Sequence, residues 1–257
     1  MKIRWLVTSF LFLCICGGLI AGLFSRSIEA ALTAPLSVKT STSLPVATAK
    51  PSMPPTATTT GGTVLAQDTF HRPNQVFWGT ASDGRQWVGD ANSIEVFSVA
   101  GGAGQVDHAQ GTFNAILGPI NTNLEVIFSG VVNQFTQNGS VNMGAVLRWS
   151  DANNWYKALI DGNKLQILKR LNGKTTSLGS APFSARGGTS YTLRFRAVGA
   201  ALSVKAWPTN QPEPSNWMLT AMDTTLSTGF GGLRFLLQND TVIRVTSFHE
   251  TAINNLV

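Results

Sequence analysis

From Asp68 onward the sequence predicts an all-β fold, antiparallel sheets packed as a sandwich or closed as a barrel, on three observations. Short runs rich in Val, Ile, Phe, Leu, Trp and Thr recur at steady intervals, as in SIEVFSVA, NLEVIFSG, MGAVLRWS, WYKALID, KLQILKR, YTLRFRA, LSVKAWP, GLRFLLQ and VIRVTSFHE. Gly, Asn and Asp, the residues that tolerate turn geometry, punctuate them. No stretch keeps a 3.6-residue apolar period between capping residues, so helix is scarce. About a dozen strands in ~190 residues is the density of a sandwich or barrel.

Composition divides the 257 residues into three. Residues 1–26 hold the apolar run WLVTSFLFLCICGGLIAGLF behind Lys2 and Arg4, with no charge from Trp5 to Ser25. That charge step keeps an N-terminus in the cytoplasm and exports the remainder of the chain. Roughly 20 apolar residues can span a bilayer as a helix, while Gly17, Gly18 and Gly22 weaken a permanent one. The segment is therefore a signal peptide or a membrane-anchor helix. Cys14 and Cys16, the only cysteines, lie inside it, which leaves the rest of the chain without a disulfide. Leu13 and Ile15 precede them where a bacterial lipoprotein box needs a small residue, which argues against lipid attachment.

Residues 27–66, including LTAPLSVKTSTSLPVATAKPSMPPTATTTGG, are Thr, Ser, Pro and Ala-rich without apolar periodicity. Such a segment buries too little surface to offset its conformational entropy, and reads as a disordered linker, plain or O-glycosylated. Residues 67–257 form the β domain. Most of the net charge of +6 lies before Ala66, in Lys2, Arg4, Arg26, Lys39 and Lys50, so the basic balance of the whole chain does not point to nucleic acid.

Strand alternation selects the candidate ligand residues. Successive side chains point to opposite faces. VLRWS sets Arg148 opposite Leu147 and Trp149; WYKALI sets Trp155 and Lys157 opposite Tyr156, Ala158 and Ile160. YTLRFRA sets Arg194 and Arg196 opposite Leu193 and Phe195, and LSVKAWP sets Lys205 and Trp207 opposite Val204 and Ala206. If these strands share a sheet, its outer face is a platform of Arg148, Trp155, Lys157, Arg194, Arg196, Lys205 and Trp207. Trp155 and Trp207 are expected to face water with their lysine neighbours, whereas Trp78, Trp87, Trp149 and Trp217 are expected to fill the core or seal turns. An exposed aromatic face stacks on pyranose rings, and neighbouring Arg or Lys bind hydroxyls or uronate carboxylates. The same face with its long stems laid flat would merely cover the sheet.

The order DTFHRPNQVFWGTASDGRQWVG, SVAGGAGQV, GAVLRWSDANNWYKALID, LQILKRLNGKTTSLG, YTLRFRAVGAALSVKAWP and VIRVTSFHE resembles concanavalin A-like lectin and glucanase domains. The nearest variant is the laminin G-like type of bacterial surface proteins. The resemblance extends from Asp68 to Thr251 and rests on structural spacing more than on chemistry. It implies an antiparallel two-sheet jelly-roll sandwich, one sheet concave, with carbohydrate or protein bound on that face or at a rim, often with calcium.

Catalytic signatures are absent. Retaining glycosidases need two carboxyls about 5 Å apart, and no Glu-x-Asp-x-Glu run occurs; Glu95 and Glu125 are each alone in their runs. His71, His108 and His249 lack ligand spacing. Asp107 and His108 are adjacent, which on a strand would turn them to opposite faces. No Gly-x-Ser-x-Gly elbow occurs. Calcium is the one metal with a candidate site, between Asp68 at the start of the first strand and Glu250 at the end of the last. The resulting expectation is a non-catalytic, extracellular carbohydrate-binding module on a stalk, membrane-anchored or secreted, needing no cofactor beyond a structural calcium. A protein-binding adhesive module and a glycoside hydrolase with a cross-strand carboxylate pair stay open as alternatives.

Overall fold

The computed structural model describes residues 62–254; the expected leader, and the linker up to residue 61, lie outside the described residues. The described chain is β structure broken by one 3-10 turn, Asp90–Asn92. No helix among these residues is long and apolar enough to cross a membrane. The strands are β1 (Gly62–Asp68), β2 (Gln75–Val76), β3 (Val88–Gly89), β4 (Phe97–Ala100), β5 (Ala103–Val106), β6 (Gly111–Ile116), β7 (Leu124–Val132) and β8 (Asn142–Asp151). They continue as β9 (Asn154–Ile160), β10 (Lys164–Leu171), β11 (Lys174–Pro182), β12 (Ser190–Val198), β13 (Ala201–Pro208), β14 (Leu219–Met222), β15 (Phe230–Leu237) and β16 (Ile243–Ile253). Residues 62–66, expected as the end of the linker, open β1 because they pair antiparallel with the end of β16.

Two antiparallel sheets result. One has nine strands, in the order β14-β13-β12-β7-β16-β5-β4-β2 with β1 also on β16; the other has seven, in the order β11-β10-β9-β8-β15-β6-β3. The inward positions of both meet in one apolar core that includes Leu193, Phe195, Val126 and Phe128 from the first sheet and Tyr156, Ala158, Leu233 and Phe235 from the second. Interdigitated inner faces of this kind are the main stabilising term of a sandwich.

Aromatic edges seal the end of the core beneath the loop after β1. Trp78 meets Trp87, Phe70 and Phe97 edge to face at centroid distances of 4.8, 4.9 and 5.1 Å. Asp68 anchors that loop from inside. Its carboxylate accepts two hydrogen bonds from Arg72 (2.7 and 2.9 Å), one from the Trp87 indole (2.7 Å), and one each from the Phe70 and Ser82 amides. Trp78 and Trp87 are thus core residues, as their sequence context predicts.

Candidate functional site

The seven residues expected on one platform are divided between the two sheets. β8 and β9, with Arg148, Trp155 and Lys157, belong to the seven-stranded sheet; β12 and β13, with Arg194, Arg196, Lys205 and Trp207, belong to the nine-stranded one. The alternation holds in β9, β12 and β13 and breaks in β8 at Arg148, and the outward faces lie on opposite sides of the core. Trp155 and Trp207 are also not open to water: they are 3% and 8% exposed, and the Arg234 guanidinium lies over Trp155.

On the nine-stranded face the cations are matched with acids. Arg194 is cross-strand to Lys205, and Arg196 to Glu125. Glu125 bonds both Arg194 (3.2 Å) and Arg196 (2.6 Å). The connection 209–218 folds back over the sheet and brings a second acid, Glu213, to Arg194 (3.0 Å) and Lys205 (2.7 Å). Lys205 also donates to the Pro214 carbonyl, and the ring of Trp217 lies 5.1 Å from both the Arg196 guanidinium and the Lys205 ammonium. Trp217 therefore caps an ion-pair network. His249 stands on the same face, its pKa lowered chiefly by burial, with Glu125 opposing that shift.

The seven-stranded face is organised in rows across the strands. One row runs Gln166, Leu159, Gly144, Arg234, Asn114; the next runs Leu168, Lys157, Val146, Gly232, Ile116. Lys157 is 4% exposed although it points away from the core. Its stem crosses Gly144, where a Cβ would stand 2.9 Å from the lysine Cε, and its ammonium donates to the Asn142 amide oxygen at 2.5 Å. Glycine at 144 is what leaves room for that path. Arg234 donates to the Asn114 amide oxygen and lies 4.8 Å over the Trp155 ring. Trp155 pairs with Arg170, whose Nη1 donates to Thr175.

No carboxylate among the described residues lies within 4.0 Å of Lys157, Arg170 or Arg234. Burial and the nearby Arg234 push the Lys157 ammonium well below its ordinary value. Burial and Arg170 bring Arg234 down to about 10, against the opposing pull of Asp90. Asp90 is already engaged: its Oδ2 accepts from the Asn114 amide and side chain. Trp149 pairs with Phe230 beside this cluster, both half-buried, ring centroids 6.4 Å apart. The Trp149 Nε1 and the Arg170 Nε are buried without an acceptor. Arg170, Arg234, Asn142 and Trp149 were missed as site members, yet KLQILKR and GLRFLLQ carry the alternation that turns Arg170 and Arg234 outward.

Arg148 serves the framework. A bulge between Leu147 and Asp151 puts it in the left-handed region (φ 50°) and turns Trp149 to the face opposite Leu147, so these two do not share a face. Its guanidinium donates to the carbonyls of Thr122, Leu226 and Gly199 at 2.7 to 3.0 Å, joining three connections. It lines a cleft of about 350 Å³ with Thr122, Gly199 and Leu226.

Asp68 and Glu250, the expected calcium pair, are both buried, at 1% and 0% exposed. The oxygens of Asp68 face N–H donors, and no group of three or more His, Cys, Asp or Glu among the described residues could hold a metal. Glu250 is 0% exposed, packed on Gly118 and Gly231, with neither oxygen in a hydrogen bond of good geometry; the Gly231 amide faces it and opposes a rise driven by burial to about 8. Asp107 and His108 do touch (2.8 Å), because His108 lies past the end of β5 with φ 56°.

No family model matches the sequence, and no curated protein matches it. The solved structures it is similar to include a xylan β-1,4-xylosidase from Bacillus halodurans C-125 (14% identity, TM-score 0.56, 72% of this chain and 38% of that one). Another is a GH43 protein from Bacillus licheniformis (13% identity, TM-score 0.53, 72% and 39%). A carbohydrate-binding module, CBM66, from Bacillus subtilis is a further match (17% identity, TM-score 0.48, 63% and 94%). The chain spans less than two-fifths of the two larger proteins. At these identities the likeness is one of fold: the chain is a two-sheet antiparallel β-sandwich.

Proposed function

We propose that this chain is a non-catalytic carbohydrate-binding module whose ligand surface is the outward face of the seven-stranded sheet, around Lys157, Arg170, Arg234 and Trp149. One observation carries the reading. Here the cations Lys157, Arg170 and Arg234 share a sheet face with an indole donor and side-chain amides and have no carboxylate within 4.0 Å among the described residues, whereas Arg194, Arg196 and Lys205 on the other face are already paired. Unsatisfied buried donors are costly, and an oxygen-rich ligand would satisfy them. The half-buried Trp149 and Phe230 rings add apolar surface for a sugar ring. The fold shared with a xylosidase adds support by analogy only. Export on an N-terminal signal or anchor and a stalk, with display outside the cell, is part of the same proposal and rests on residues 1–66 alone.

A non-catalytic role is favoured by where the acids are. Glu125 and Glu213 are tied into ion pairs, and Glu250, the acid whose pKa is raised to about 8, is sealed between the sheets where no glycosidic bond can reach it. A glycan array with the full-length chain tests the reading. Retention of at least one glycan, weakened at least tenfold by Arg234→Gln and unchanged by Glu213→Gln, supports it. Binding lost in the Glu213 variant alone would move the site to the other face.

A further inference from the structure

We infer that the seven-stranded face recognises an anionic sugar unit, a uronate carboxylate or a sulfate ester, so that the ligand is an acidic polysaccharide. The inference rests on the carbohydrate reading above. Lys157, Arg170 and Arg234, on β9, β10 and β15 of one sheet, are three like charges on its outward face, none with a carboxylate within 4.0 Å among the described residues. Placing two cations side by side in a poorly hydrated surface is unfavourable twice over, through lost hydration and through mutual repulsion. An anion seated among them removes both costs.

The partners already present are weak substitutes. Lys157 reaches only a neutral amide, Asn142, and Arg234 reaches the neutral Asn114 and the face of Trp155. Arg170 keeps a buried Nε–H with no acceptor. Guanidinium groups present parallel N–H bonds that match a planar carboxylate, and charged acceptors give bonds roughly twice as strong as neutral ones. Asp90 is held by Asn114 through two hydrogen bonds, so it orients the amide that Arg234 uses and acts on that guanidinium only from beyond 4.0 Å. Gln166 and Asn142 lie on the same outward face and supply donors and acceptors for the hydroxyls of the same sugar.

The test is an array of neutral, uronate-containing and sulfated glycans, followed by calorimetry on the best binder and on its carboxyl-reduced or desulfated counterpart. Full-length wild type is compared with Arg234→Gln, Arg170→Gln and Lys157→Met, each checked for folding by its thermal transition. The expected result is binding to an anionic glycan, at least tenfold weaker to the neutralised counterpart, at least tenfold weaker in Arg234→Gln or Arg170→Gln, and falling with added salt. Uronate and sulfate arms separate the two anions. Equal binding to charged and neutralised glycans, or retention of neutral glycans only, overturns the anionic ligand and leaves the carbohydrate reading standing. Retention of no glycan by a folded chain overturns both.

Discussion

The two outward faces of this sandwich are built from the same alternating Arg, Lys and Trp pattern, yet they are in opposite electrostatic states. On the nine-stranded face Arg194, Arg196 and Lys205 share Glu125 and Glu213, and Trp217 closes over them. On the seven-stranded face Lys157, Arg170 and Arg234 have amides, a hydroxyl and an indole ring for company. The first arrangement is paired within itself; the cations of the second have no carboxylate within 4.0 Å among the described residues. A basic sheet face therefore says little about ligand binding until its acids have been located. The Nε of Arg194 is also without an acceptor, but that guanidinium has two carboxylates on its other nitrogens.

The core between the faces sets the background for any pH comparison, and gives the largest expected effect. Burial raises the folded pKa of Glu250 from 4.5 to about 8. The unfolded carboxyl ionises first, so the stability this group allows is fully present below pH 4.5 and declines as pH rises towards 8. Glu250→Gln should remove that decline, by several kcal/mol at about 1.4 kcal/mol per pH unit. Thermal melting from pH 4 to 9 measures it; parallel profiles for variant and wild type would refute it.

Next in size is a break of the paired face. Glu125→Gln leaves Arg194 and Arg196 short of an acid and should cost about 3 kcal/mol, the lower end of the range for a broken buried pair because both arginines are about a fifth exposed. Denaturant unfolding reads it. The same experiment on Lys157→Met should go the other way. A lysine whose pKa is depressed in the fold loses stability as pH falls below 10.5, since the unfolded chain takes up the proton first. Its replacement by an apolar side chain should stabilise the fold at pH 7 by about 1 kcal/mol while weakening anionic ligands.

A smaller effect would come from making the faces alike. Leu168 is cross-strand to Lys157, and Leu168→Glu supplies the missing acid. It should add up to about 1 kcal/mol and reduce anion affinity, as a titration before and after substitution would show. The smallest effect is expected of Glu213→Gln on the partly exposed 209–218 connection, under about 1 kcal/mol and further reduced by salt.

Much of this architecture was legible residue by residue. The runs around Phe195 and Val204 became strands with the predicted side inward, the run around Phe235 became a strand, and Trp78 and Trp87 went to the core. The candidate site was legible only in part: Lys157 lies on the proposed face but is as closed to water as Trp155, at 4% and 3% exposed, Arg148 is a framework clamp, and Arg170 and Arg234 join the same face. Asp68, expected at a metal, instead anchors Arg72 and Trp87.

The sequence by itself determined the fold class, the turns and, within each strand, which side chains oppose which, because period-two alternation is a local property of the extended chain. Only the tertiary structure decided which strands share a sheet, that a bulge turns Arg148 off the platform, and that residues 209–218 return with an acid for one face alone. Those outcomes depend on pairings between distant segments, such as β7 with β12 and β8 with β15, about which local alternation carries no information.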